Sequence, residues 1–194
     1  NKGYYSLLLN KIFGPSCKIY AFEPSLKTFD SFRRHTQTIQ SILAHNLGFG
    51  EKEEEVTLYS DDEGSGLASV YDRRLDHIDI QMDLEEKIQL KALDAFCTEN
   101  SIRNIDLLKL DVEGNEINVL KGAKNMLKER RIKFIQFEFG GCNIDSRTYF
   151  QDFYYLLNKN YSISRIVKDG LYEIKEYKEM YEAFTTTNYL ASLK

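Results

Sequence analysis

Apolar and polar positions recur along the chain with two periods. Short apolar runs bounded by breakers predict buried strands at residues 18–22 ahead of Pro24, at 105–110 ahead of Asp111, and at 133–139 before Gly140-Gly141. Between them the spacing turns helical. Ser25 can cap a helix with Leu26, Phe29 and Phe32 on one face. Asn115 can cap a second helix carrying Ile117, Leu120, Ala123 and Leu127, with Lys128, Arg130 and Arg131 at the negative end of its dipole. Residues 39–45 predict another strand, and 56–59 with 87–93 a weaker antiparallel excursion. From Tyr149 onward the pattern gives a helix, then strands at 161–167, 171–174 and 188–193. Strands alternating with helices predict an α/β fold, a mostly parallel sheet with helices on both faces. Residues 60–86 are polar, punctuated by Gly64 and Gly66 and without period, which predicts a mobile surface loop.

Composition narrows the class. The chain has 194 residues, 42% hydrophobic, enough for the core of one domain. The longest apolar run near the start, residues 4–9, is far too short to span a membrane. A net charge of −4 disfavours nucleic acid as a partner. Cys17, Cys97 and Cys142 are odd in number and widely spaced, which excludes a disulfide framework and a CxxC metal pair and predicts a cytoplasmic protein. The acidity is local. Residues 51–87 hold 13 acidic and 4 basic residues, net −9, and the rest hold 17 and 22, net +5.

Ligands of open α/β sheets bind at the carboxyl ends of the strands. Three of the predicted strands carry acids there: Glu23 after the first, Asp111 and Glu113 after the second, Glu138 within the third. A strand-end acid beside a glycine turn can accept both ribose hydroxyls of a nucleoside cofactor. The start of the chain, Asn1-Lys2-Gly3-Tyr4-Tyr5-Ser6, reads as the end of such a turn entering a helix, although Gly3 alone also fits an ordinary turn.

Taken together, residues 1–6, Ala21-Phe22-Glu23-Pro24-Ser25, Leu93-Asp94-Ala95-Phe96, residues 105–116 with Asp111-Val112-Glu113-Gly114-Asn115-Glu116, and Lys121-Gly122-Ala123 resemble FkbM-family methyltransferases. Phe137-Glu138 and Asn188-Tyr189-Leu190-Ala191 continue the resemblance over nearly the whole chain. It implies a Rossmann-like fold that uses S-adenosylmethionine to methylate a hydroxyl oxygen of a sugar, glycan or natural product. Carried onto this sequence, Asn1 and Gly3 belong to the cofactor loop, Glu23, next to Pro24, holds the ribose hydroxyls, and Asn46 lies at the adenine edge. Asp111 lies beside the methionine portion and Glu113 near the acceptor. The family's preceding strand, with its acid and first glycine, is absent. Its slot lies between the strands ending at Glu23 and Asp111, so the expectation is one N-terminally truncated domain over residues 1–194, with 51–87 as an acidic hairpin and loop insertion. Otherwise another segment fills the slot. Oligomeric state stays open, a homo-oligomer included.

A carboxylate within hydrogen-bond reach of an alcohol can take its proton during transfer. Asp111 is the first candidate and Glu113 the second. The alternatives are that Asp111 only positions the cofactor, and that Glu113 caps the following helix with Asn115. No metal site is expected: His35, His45 and His77 lack suitable spacing, though His45 adjoins Asn46. Lys109 should pair with Asp106 or Glu138, because a buried lysine needs a partner. Cys142 has no basic neighbour to activate it. The tyrosine-rich tail, with 8 of 13 tyrosines, suits core packing better than stacking on an acceptor. A degenerate binding module, a nicotinamide-dependent oxidoreductase and an acidic interaction scaffold remain rival classes. An acidic lid over the strand ends would disfavour anionic acceptors, testable by reversing Asp61, Asp62 and Glu63.

Overall fold

The computed structural model describes residues 2–194. Gly3 precedes helix α1 (Tyr4–Phe13), which leads into β1 (Ile19–Phe22), α2 (Leu26–Thr36) and β2 (Ile42–His45). β1 and β2 pair in parallel, with Phe22 opposite His45. A short strand β3 (Gly48–Gly50) is followed by β4 (Glu54–Ser60), then β5 (Leu84–Ala92) and α3 (Leu93–Glu99). β5 pairs in parallel with β3 and antiparallel with β4, which is the expected excursion. Next come β6 (Ile105–Leu110), α4 (Glu116–Gly122), α5 (Lys124–Lys128) and β7 (Ile132–Phe139). After α6 (Cys142–Ser146) and α7 (Phe150–Leu157), the chain ends in β8 (Tyr161–Val167), β9 (Gly170–Ile174) and β10 (Thr187–Leu193).

β6 and β7 are parallel neighbours, and β10, β8 and β9 extend their sheet antiparallel in the order β6-β7-β10-β8-β9. The strands that carry the candidate residues are therefore the parallel ones. Among the described residues β1 pairs only with β2, and β6 only with β7. The strands ending at Glu23 and Asp111 are not hydrogen-bonded to each other.

The main core lies between β7 and β10 on one side and α4 and α7 on the other. Phe137 stacks between Phe153 (4.8 Å) and Tyr189 (5.4 Å), all three buried. Tyr161, also buried, donates its hydroxyl to the Ile132 carbonyl at 2.8 Å, so Tyr154, Tyr161 and Tyr189 of the tail pack as core. A smaller core joins Ile19, Phe32 and Ile42 beneath α1 and α2. The single helix expected after Asn115 is two helices. A Cβ on Gly122 would lie 2.1 Å from the Gly50 carbonyl oxygen, so α4 packs backbone to backbone on β3 and ends there. Asp94 then caps α5 from another element, accepting the amides of Asn125 (2.7 Å) and Met126 (3.0 Å).

Residues 60–86 differ from the expected free loop. Tyr59 and Ser69 exchange backbone hydrogen bonds (2.8 and 2.9 Å), Asp76–Ile78 forms a 3-10 turn, and Ser69, Leu75 and Met82 are buried. Apolar anchors that recur without period give no helix or strand signal, yet they fix a segment to the body.

Candidate functional site

Glu23, Asn46 and Asp111 follow β1, β2 and β6, at the carboxyl ends of parallel strands. Glu23 Oε1 accepts the Ser25 amide at 3.1 Å. Asn46 Nδ2 donates to the carbonyls of Glu23 and Pro24, each at 2.9 Å, so the expected adenine-edge residue clamps the Glu23–Pro24 turn onto β2. Gly3 has φ +87°, and a Cβ there would lie 2.4 Å from the Phe32 ring. The close backbone approach at Gly3 is thus to α2. Asn1 lies outside the described residues. Beneath these ends Phe22 packs on Phe49 (4.5 Å) and against His45 (5.3 Å) and Phe96 (5.0 Å). His45 is placed in this aromatic layer, its Nε2 is buried without a hydrogen-bond partner, and burial lowers its pKa.

Lys109 makes its ion pair with Asp111 (Nζ–Oδ2 2.7 Å), a partner the sequence did not suggest, and its charge also acts on Glu138, one of the two it did. The strand pleat puts residues two apart on one face, which a reading of neighbours by charge alone overlooks. The Tyr5 ring covers the Lys109 ammonium at 5.2 Å, and the Tyr5 hydroxyl donates to Gln136 at 3.1 Å, tying α1 to β6 and β7.

The loop after β6 is unusual. Glu113 has φ +50° and Gly114 φ +104°, two successive left-handed residues, of which only the glycine takes that conformation without strain. Glu116, not Glu113, takes up backbone amides here, those of the loop that precedes α4. Its fully buried carboxylate accepts the amides of Val112 (2.9 Å) and Gly114 (3.1 Å). Asn115 turns instead to the Phe49 carbonyl (3.0 Å). Freed from that task, the Glu113 side chain meets Arg73 from segment 60–86, Nη1 to Oε2 2.7 Å, and Ser69 Oγ donates to the Glu113 carbonyl at 2.6 Å. Burial, offset by Arg73 and reinforced by Glu138 and Asp111, pushes the Glu113 carboxyl up to about 7. Burial and then Asp111 raise Glu138 as well. Arg73 and Ser69 were missed, since nothing local in a polar stretch marks a partner forty residues away.

Glu113, Glu138 and Cys142 each bring a donor atom within 4.8 Å of the others. The Arg73 guanidinium already supplies the positive charge on Glu113, and burial holds the Cys142 thiol well above its ordinary range. A second cation would meet that charge, so we assign no metal to these groups. Outside this cluster a cleft of about 500 Å³ is lined by Glu23, Asp62, Glu63, Glu85 and Glu86 with Lys27. The acids of segment 60–86 thus reach the Glu23 end of the site, while Arg73 reaches the Glu113 end.

An α/β fold with acids at its parallel strand ends and a turn–helix element after β6 is a Rossmann-like arrangement, which takes its ligands at those ends. Residues 1–163 match the methyltransferase FkbM domain, and the chain belongs to that family. It is similar to Methyltransferase 1 of Beauveria bassiana (29% identity over 137 residues, 63% of this chain and 55% of that protein). It is also similar to the 2-O-methyltransferase NoeI of Sinorhizobium fredii (20% over 133 residues, 63% and 54%). The chain spans about half the length of the curated relatives it matches. A solved FkbM methyltransferase from Methylobacillus flagellatus shares the fold, with TM-score 0.51 and 16% identity over 98% of this chain and 41% of that one. No helix among the described residues is long and apolar enough to cross a membrane.

Proposed function

We propose that the chain carries the catalytic core of an S-adenosylmethionine-dependent O-methyltransferase acting on a hydroxyl of a small-molecule or saccharide acceptor. The observation that carries this is Glu113, a shielded carboxylate in the loop after β6, met by Arg73 at 2.7 Å; burial pushes it up to about 7, where a general base works best at neutral pH. Asp111 is the weaker candidate for the base. It is half-exposed and bound to Lys109, and it suits orientation of the methionine portion. Glu23 suits the ribose hydroxyls, in a turn held rigid by Asn46. When bound, S-adenosylmethionine supplies a methyl carbon made electrophilic by its sulfonium. Glu113 takes the acceptor's hydroxyl proton as its oxygen attacks, and releases it to water afterwards. The name of the 2-O-methyltransferase NoeI supports a hydroxyl acceptor. The same proposal places a further strand between β1 and β6, supplied from outside residues 1–194 or by a segment within them.

The test uses the full-length protein with methyl-labelled S-adenosylmethionine and a pool of mono- and oligosaccharides, read by mass spectrometry. Glu113→Gln should slow transfer about 10²- to 10⁴-fold while cofactor binding by calorimetry is retained. Asp111→Asn should weaken cofactor binding more than transfer. Transfer at the original rate in Glu113→Gln would sink the assignment. Absence of both cofactor heat and product would favour a degenerate binding module.

A further inference from the structure

Arg73 belongs to the most acidic stretch of the chain, yet its side chain is only 8% exposed. Burying a guanidinium costs several kcal/mol unless the charge is matched. An arginine held purely for stability commonly grips one carboxylate with two parallel N–H bonds. Arg73 does not. Its Nη1 meets Glu113 at 2.7 Å, while its buried Nε has no hydrogen-bond partner and stands 3.9 Å from Asp145 Oδ2. The backbone is arranged around this single contact. Ser69 holds the Glu113 carbonyl and also accepts the Tyr71 amide at 3.1 Å, so one hydroxyl fixes both the base loop and the approach to Arg73. The left-handed Glu113 is thereby held on two sides by segment 60–86.

We propose that Arg73 is a positioning residue for methyl transfer: its guanidinium aims the Glu113 carboxylate and keeps it charged, so that segment 60–86 completes the base. This rests on Glu113 as the base proposed above. Around Glu113 stand Asp111 on the β6 end, Glu138 on β7, Glu116 on α4, and Cys142 and Asp145 on α6. The cation in contact with Glu113 is Arg73, while Lys109 is paired with Asp111. Without Arg73, Glu113 would sit among like charges and hold its proton into the alkaline range. During transfer the proton passes from the acceptor oxygen to Glu113 and then to water. Arg73 keeps its own protons throughout.

The first measurement needs no acceptor. In protein labelled with ¹³C-carboxyl glutamate, the Glu113 resonance, assigned by its loss in Glu113→Gln, is titrated by NMR. Arg73→Gln should move its midpoint upward by about one to three units, the range set by removing one adjacent opposite charge. The acid limb of kcat/KM should move with it. Arg73→Lys keeps the charge on a flexible, unforked head. It should leave the midpoint within about half a unit yet slow transfer at every pH, because aim is lost. A midpoint in Arg73→Gln unchanged from the original, or an Arg73→Lys variant that transfers at the original rate, overturns the proposal. If Arg73→Gln fails to fold, the Arg73→Lys rate alone decides. Failure of the base assignment is separable: Glu113→Gln would then transfer normally even though Arg73→Gln shifts the Glu113 titration.

Discussion

Glu116 offers a sharp test of how the candidate site is built. Its carboxylate is inaccessible to solvent and accepts two backbone amides of the loop that displays Glu113. Glu116→Ala leaves both amides buried without an acceptor, at about 1–3 kcal/mol each, and opens a cavity besides. The expected loss is about 3–5 kcal/mol, comparable to breaking a buried charged network. Glu116→Gln keeps one acceptor and turns an NH₂ toward the other amide, so about 1–3 kcal/mol is expected. The pH dependence has a definite sign. Burial pushes Glu116 up to about 7 from an ordinary 4.5, against the pull of its backbone hydrogen bonds. The native state therefore binds this proton more tightly than the unfolded chain. The stabilisation is complete below about 4.5 and is lost as pH rises through about 7. At about 1.4 kcal/mol per unit, the loss approaches about 3 kcal/mol by pH 8. Urea unfolding of the original protein and Glu116→Gln at pH 5.5 and pH 8 isolates this group from Glu113 and Glu138, which remain in both. The stability gap between the two proteins should close as pH rises. A gap that widens, or a Glu116→Ala midpoint equal to the original, refutes the reasoning.

Gly122→Ala should destabilise by more than about 2 kcal/mol in thermal unfolding, because the added carbon meets the backbone oxygen of Gly50 and no side chain can yield there. The proposed strand between β1 and β6 predicts that β6 amides not bonded to β7 exchange rapidly with deuterium in residues 1–194 alone. In the longest natural form of the chain they should be protected. Rapid exchange in both forms would remove the strand, and equal protection in both would assign it to a segment within residues 1–194.

The parallel strands were legible because each is an apolar run closed by a breaker: Pro24 beyond β1, Asp111 beyond β6, Gly140 beyond β7. β3 was not, since three residues cannot display a period of two. α3 was hidden because Leu93 continues the alternation of β5 and only the next turn departs from it. The α4–α5 break was invisible for a different reason. Ile117, Leu120, Ala123 and Leu127 keep helical spacing across it, and the cause is a tertiary contact, the Gly50 carbonyl against Gly122. Glu113 stood out by its position in Asp111-Val112-Glu113-Gly114, but its task did not. Two glutamates three residues apart look equally able to cap a helix, and only the left-handed Glu113 and Gly114 send one inward to the amides and the other toward Arg73.

The charge of segment 51–87 shows why composition describes a face better than a site. Its acids stay where water or a nearby base can stabilise them: Glu63 pairs with Lys27 on the surface, and Asp62 accepts the Glu63 amide at 2.7 Å. What the segment buries is its rare cation. The body it packs against presents Glu113, Glu138 and Asp145, and a charge leaves water without large cost only where an opposite charge receives it. The acids of the body therefore select Arg73 out of a stretch of net −9. An acceptor at the Glu113 end meets a guanidinium–carboxylate pair, whereas one at the Glu23 end meets carboxylates almost alone. The expectation that an acidic lid repels anions applies to the second end. At the first, the segment's contribution is a positive charge paired with Glu113, the group proposed above as the base.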